Sequence, residues 1–128
     1  MKLTQDELRS IFEKALENKQ AFFVDWKFTA EDVAYNVKLT IPELDISSTP
    51  ATQIYGDWIE KVTIEGSEYS FNTNSETLIY EVIKKVNENL IQKNQVLISW
   101  DYQDDNISFI LIKFDKLPKY EEMGFYKI

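Results

Sequence analysis

The sequence has no cysteine and no histidine. Without cysteine there is no disulfide, no thiolate metal site and no thiol nucleophile. Without histidine the commonest general base and metal ligand is gone. A Ser-His-Asp triad, a histidine-ligated zinc hydrolase and a Cys-His protease are therefore excluded. Glycine and proline are scarce, with three of each. That excludes a low-complexity chain and leaves no glycine-rich loop to cradle a phosphate. Basic residues are outnumbered, 14 Lys and Arg against 22 Asp and Glu, for a net charge of −8. Phosphate backbones repel such a surface, so direct nucleic-acid binding is not expected. No apolar run approaches the roughly 18 residues of a membrane span. The opening Met-Lys-Leu-Thr-Gln-Asp-Glu lacks the apolar core of a secretory signal. The expectation is a cytoplasmic protein with no membrane contact and no cofactor.

What is present is enough for one core. Hydrophobic residues make up 44% of the 128 positions and aromatics 14%, well clear of the signature of disorder. The length fits one domain, residues 1–128.

Residues 4–18 predict a helix. Leu8, Ile11, Phe12, Ala15 and Leu16 recur at the spacing of one helix face. Thr4 and Glu7 form a capping box, and Leu3 with Leu8 fits a hydrophobic staple. Residues 21–29 and 33–41 each alternate, with Phe22, Val24, Trp26 and Phe28, then Val33, Tyr35, Val37, Leu39 and Ile41, on the apolar side. They predict a hairpin closed by Pro42. Residues 42–56 read as an irregular connection bounded by Pro42, Pro50 and Gly56, tacked down by Ile46 and Ile54. Residues 57–72 predict a second hairpin around Gly66-Ser67. Residues 74–91 predict a second helix with the stripe Ile79, Val82, Ile83, Val86 and Leu90, capped by Thr73 and Glu76. Residues 95–103 and 107–115 predict a third hairpin about Asp104-Asp105-Asn106. Pro118 and Gly124 frame one short helical turn in the tail.

The helix–hairpin unit echoes itself. Trp26 falls on Trp100, Phe28 on Tyr102 and Tyr35 on Phe109 when the first hairpin is laid on the third. Convergent patterning of two such units accounts for most of this match. The fold class expected is α+β, two helices on one face of a mainly antiparallel sheet of about six strands, in the order α-ββ-ββ-α-ββ.

Two surfaces emerge as candidate binding sites. Ile107, Phe109 and Leu111 share one face of their strand, and Ile110, Ile112 and Phe114 the other. A strand apolar on both faces is covered on both sides, yet two helices on one face leave the other open. Either Phe125, Tyr126 and Ile128 fold over Ile110, Ile112 and Phe114, or these three form a partner or homodimer surface. The second candidate is acidic. Asp101, Tyr102, Asp104 and Asp105 surround the third hairpin turn, and Asp57 and Glu60 flank Trp58. Such residues serve turn geometry. Set against Lys and Arg of another protein, carboxylates beside aromatic anchors make a tight charged interface.

Other chemistry has less support. Carboxylate pairs can cleave glycosides without histidine, but among 22 acidic residues pairs arise by chance. Asp101–Asn106 lacks the central glycine and closing glutamate of a calcium loop. In size, acidity and want of catalytic groups the chain resembles the immunity proteins of bacterial toxin systems, including contact-dependent inhibition. That resemblance implies a cytoplasmic inhibitor that blocks the active site of one cognate toxin domain, often a basic nuclease. The helices at 4–18 and 74–91 with the strands between them also look like the α-β-β-β-α-β-β order of type III secretion chaperones. The tail at 117–128 is too short for the C-terminal helix of that family.

Overall fold

The computed structural model describes residues 2–101 and 106–128. Its elements are α1 (Gln5–Glu17), β1 (Ala21–Asp25), α2 (Ala30–Thr40), β2 (Ile46–Ile54), β3 (Asp57–Ile64), β4 (Ser67–Asn72), α3 (Leu78–Leu90), β5 (Gln95–Ser99), β6 (Asn106–Lys113), α4 (Leu117–Met123) and β7 (Tyr126–Lys127). The fold is α+β and every strand pairing is antiparallel. The strands form two sheets rather than the expected one. Sheet A has the order β1-β6-β5-β7 and sheet B the order β2-β3-β4.

The helices do not share one face. Leu8 and Phe12 of α1 pack with Ala21, Val96, Ile98, Ile110 and Ile112 on one side of sheet A. Residues of α2 and α3 pack with Phe22, Val24, Leu97 and Phe109 on its other side, and also reach Ile46, Val62, Ile64 and Phe71 of sheet B. The layers therefore run α1, sheet A, the α2–α3 pair, sheet B. Sheet A is covered on both faces, which is why β5 and β6 read as near-continuous apolar runs.

This arrangement corrects the expected open patch. Ile110 and Ile112 are buried, and Phe114 packs partly buried in the same cluster as α1, Trp100, Leu117 and Phe125. The tail does fold back, as one of the two readings had it. Its short helix opens on Pro118 and closes on Gly124, whose φ of 118° is left-handed.

The largest correction is α2. Residues 30–40 are helical, not the second arm of a hairpin, and β1 pairs with β6 instead. Val33, Val37 and Ile41 satisfy a period of two and a helical period equally. Ala30 and Ala34 decide it: both are buried beside them, whereas Tyr35 and Leu39 point to solvent. Thr29 and Asp32 form a reciprocal capping box at its start. The helix ends at Ile41, before Pro42, as proline requires. The echo between the first and third hairpins fails with it: Trp100 is buried, but Trp26 is exposed.

Two smaller corrections follow from backbone chemistry. Residues 46–54, expected to be irregular, form β2, an edge strand with a register shift between Thr49 and Thr52 around Pro50. Edge positions and bulges are where a strand tolerates proline. Tyr55-Gly56 and Glu65-Gly66 are two-residue turns with φ positive at both positions, the hairpin geometry that matches strand twist. The second helix begins at Leu78, and its N-cap is Thr77 rather than Thr73.

Asn87 joins the layers. β7 is too short to pair with all of β5. Beyond it, the Leu97 N–H donates to Asn87 Oδ1 at 2.7 Å, and Asn87 Nδ2 donates to the Leu97 carbonyl at 3.0 Å and the Ile128 carbonyl at 3.3 Å. A helix side chain thus completes the sheet's hydrogen bonding. Replacing Asn87 by leucine strands two buried backbone groups, at about 1–3 kcal/mol each. We expect Asn87→Leu to lower the urea midpoint with little change in slope, and a midpoint equal to the parent's would refute this role.

Candidate functional site

The site lies at one end of the molecule, where the β1–α2 and β4–α3 connections meet the start of β3. β1 ends in a tight turn: Asp25 accepts from the Lys27 N–H through its side chain at 2.9 Å and from the Phe28 N–H through its carbonyl at 2.9 Å. The turn throws Trp26 outward, 60% exposed. The Lys27 ammonium sits 5.2 Å from the centre of its ring, a cation–π contact.

The N-terminus of α2 is held twice. The Thr29–Asp32 box holds it locally. Glu60 of β3 holds it from a distance, being only 2% exposed. Its two oxygens accept from the Ala30 N–H at 3.1 Å and the Glu31 N–H at 3.2 Å. The Thr73 hydroxyl donates to the same carboxylate at 3.0 Å. A buried carboxylate needs such partners, and the positive end of a helix is a favourable place for it.

Thr73 connects this anchor to the surface. Its N–H donates to the Trp58 carbonyl at 2.8 Å, which pins the Thr73–Thr77 loop beside Trp58. Trp58 faces the same side of β3 as Glu60, but beyond the helices it is 46% exposed. The loop, Trp26, Lys27, Tyr80 and Ile107 line a hollow of about 260 Å³. Glu76 is exposed on the rim of this hollow, and Asp57 is exposed next to Trp58 in the chain. Tyr80 also lies near enough to Tyr126 to influence it, and the Tyr126 hydroxyl bonds to Asp101 and Ser99. Asp101 itself is exposed.

The structure therefore brings Asp57, Trp58 and Asp101 of the expected residues to the surface and takes Glu60 out of it. Tyr102, Asp104 and Asp105 lie outside the described residues. Ile110, Ile112 and Phe114 belong to the core between α1 and sheet A. Trp26 and Tyr80 were missed. The signal for Trp26 was present: a capping box at Thr29–Asp32 puts residues 26–28 in a loop before a helix. Among the described residues no group of three acidic side chains could hold a metal ion, and no helix is long and apolar enough to cross a membrane.

Burial raises the pKa of Tyr126 above the phenol value of 10.0, helped by Tyr80 and by the Asp101 carboxylate. The folded state thus favours the neutral phenol. Its contribution to stability is fully present below pH 10 and is lost as pH rises through the folded-state value. In a titration followed by tyrosinate absorbance, Tyr126→Phe should remove a step above pH 10, and Asp101→Asn should move that step down. A step that stays in place in Asp101→Asn would dismiss the pairing.

The chain matches the model of a family described as a domain of unknown function (DUF6630) over residues 3–125. No curated protein and no solved structure matches it. With nearly the whole chain covered, this protein belongs to the DUF6630 family.

Proposed function

We propose that this protein is a binding inhibitor of the immunity type, which neutralises a basic toxin domain, most simply a nuclease, by covering its active site. The reading makes it a cytoplasmic protein that acts without catalysis of its own. The observation that carries it is an exposed Trp26 and Glu76 on one hollow, with the part-exposed Trp58 tied to the same Thr73 loop through its carbonyl, on a chain of net charge −8.

The physics of such a surface favours a cationic protein. Exposed tryptophans are the strongest interface anchors because they bury large areas at low entropic cost. Their faces also attract Lys and Arg. The Lys27 ammonium over Trp26 is an internal instance of that attraction. The surrounding carboxylates steer a basic partner at a distance and pair with it on contact. The anchor beneath, buried Glu60 hydrogen-bonded to Thr73 and the α2 terminus, ties the segments that carry the tryptophans to each other, so less ordering is left to binding.

The test uses a basic toxin domain encoded beside this protein's gene, with its nuclease or other activity as the readout. The parent should bind it and silence it. Trp26→Ala and Trp58→Ala should each weaken binding by about 2–4 kcal/mol, roughly 30- to 1000-fold. Asp57→Lys with Asp101→Lys should mainly slow association and flatten its dependence on salt. A Trp26/Trp58 double alanine variant that binds and protects like the parent sinks the proposal, as does the absence of any basic partner.

A further inference from the structure

Among the described residues, no strand pairs with the outer edge of β1 in sheet A. Its strand order leaves β1 and β7 at the rims, and β7 is two residues long. Sheet B shields its β2 edge with Pro50 and a register shift, a common defence against edge-to-edge pairing. β1, Ala-Phe-Phe-Val-Asp, pairs with β6 in unbroken register from Ala21 to Asp25. It carries no proline and no bulge, and its one charge stands at the end.

The direction of its free groups follows from the ladder. The Leu111 N–H donates to the Gln20 carbonyl, so that carbonyl and the backbones of Phe22 and Val24 point toward β6. Antiparallel alternation turns those of Ala21, Phe23 and Asp25 outward. The Asp25 carbonyl is engaged by the Phe28 N–H. The remaining outward groups open into a groove of about 590 Å³ bordered by Leu16, Phe23, Leu39 and Lys19. Phe23 is 48% exposed and Leu39 62% exposed. The groove is thus apolar on the α1 side of the sheet and on the α2 side.

We infer that β1 is the seam through which two copies of this chain associate, antiparallel about Phe23, to make one continuous sheet. Centring on Phe23 engages the free groups of Ala21, Phe23 and Asp25 with those of the second copy. A different extended segment could fill the edge, but self-pairing answers the flanks as well. Phe23 meets Phe23, a favourable cross-strand pair. Because both helix layers continue across the seam, Leu16 approaches its own copy on one side and Leu39 on the other. Charge fits too: Lys19 precedes β1 and Asp25 ends it, so antiparallel pairing sets the Lys19 end of each copy beside the Asp25 end of the other. The acidic side chains Asp57 and Glu76 lie outside the seam, while Trp26, directly after Asp25, borders it; the oligomeric state is read on this chain alone, so its outcome is separate from that of the proposed inhibitor surface.

The absence of cysteine makes the test clean. Phe23→Cys introduces one thiol, which a hydrogen-bonded antiparallel pair places about 5.5 Å from its copy by Cα distance, within disulfide reach. Preassociation gives an effective thiol concentration near millimolar, so disulfide dimers should form roughly a thousandfold faster than in a micromolar solution of unassociated chains. A control thiol at exposed Thr49 of sheet B should show no such acceleration. By analytical ultracentrifugation the parent should be a dimer and Phe23→Lys, which sets like charges opposite, a monomer of unchanged circular dichroism. A parent that stays monomeric at its highest soluble concentration overturns the inference. So does a Phe23→Lys variant that still dimerises, or equal cross-linking at residues 23 and 49.

Discussion

A single buried carboxylate, Glu60, holds the two halves of this fold in register. It comes from sheet B, yet it satisfies the first amides of α2 and the hydroxyl of Thr73. An ionised group with so little access to water costs several kcal/mol unless it is paired and hydrogen-bonded. Here the compensation comes from three donors and from the helix dipole, none of which belongs to β3 itself. The carboxylate is therefore satisfied only when β3, α2 and the β4–α3 connection have all reached their places. Hydrophobic packing of α2 and α3 against the two sheets is larger in total, but it is tolerant of small slides. The bidentate contact is not, because hydrogen bonds weaken steeply away from their preferred angles.

The second constraint is that sheet A has no wet face. β5 and β6 are apolar on both sides, and the chain meets that demand by sending α1 to one face and the α2–α3 pair to the other. With helices on both faces, ladder groups left over at the short β7 rim cannot turn to bulk water. Asn87 resolves this from α3 by supplying both a donor and an acceptor to Leu97. Glu60 and Asn87 are thus two instances of one device. In each, a polar side chain from one layer finishes the backbone hydrogen bonding of another, and the layers are locked by geometry as well as by area.

What was legible in the sequence divides along the same line. Features fixed by near neighbours were readable: the Thr4–Glu7 capping box and the stripe of α1, the stripe of α3, the β3–β4 and β5–β6 pairings, and the Pro118-to-Gly124 turn. Features decided at long range were not. The period of residues 33–41 is ambiguous between strand and helix, and α2 wins because β6 has a free side for β1 and two sheets need a helix layer between them. β2 carries little apolar signal because it is an edge strand with one wet face. The sequence places Glu60 at the surface because, with Asp57, it flanks Trp58 in a carboxylate-and-aromatic cluster. Glu60 and Trp58 do share a face, but Glu60 lies beneath α2 and Trp58 beyond it. The apolar pattern of β6 was read correctly as demanding cover on both sides. The error was to place both helices together, when the second face was reserved for α1.

The distribution of charge keeps the two proposed surfaces apart. Like charges repel, so on a chain of net −8 any self-association is easiest where acids are sparse or balanced. The β1 rim meets that condition: Lys19 and Asp25 offset each other, and the rest of the groove is apolar or neutral. The loop end does not, since two copies meeting there would oppose Asp57, Glu76 and Asp101 to themselves. The same imbalance that bars that end from its own copy invites a basic protein, and the open faces of Trp26 and Trp58 give such a partner something to hold once it arrives. One acidic, histidine-free chain can thus present a self-pairing edge and a cation-seeking end without confusing them. The sign of the local charge decides which partner each surface admits.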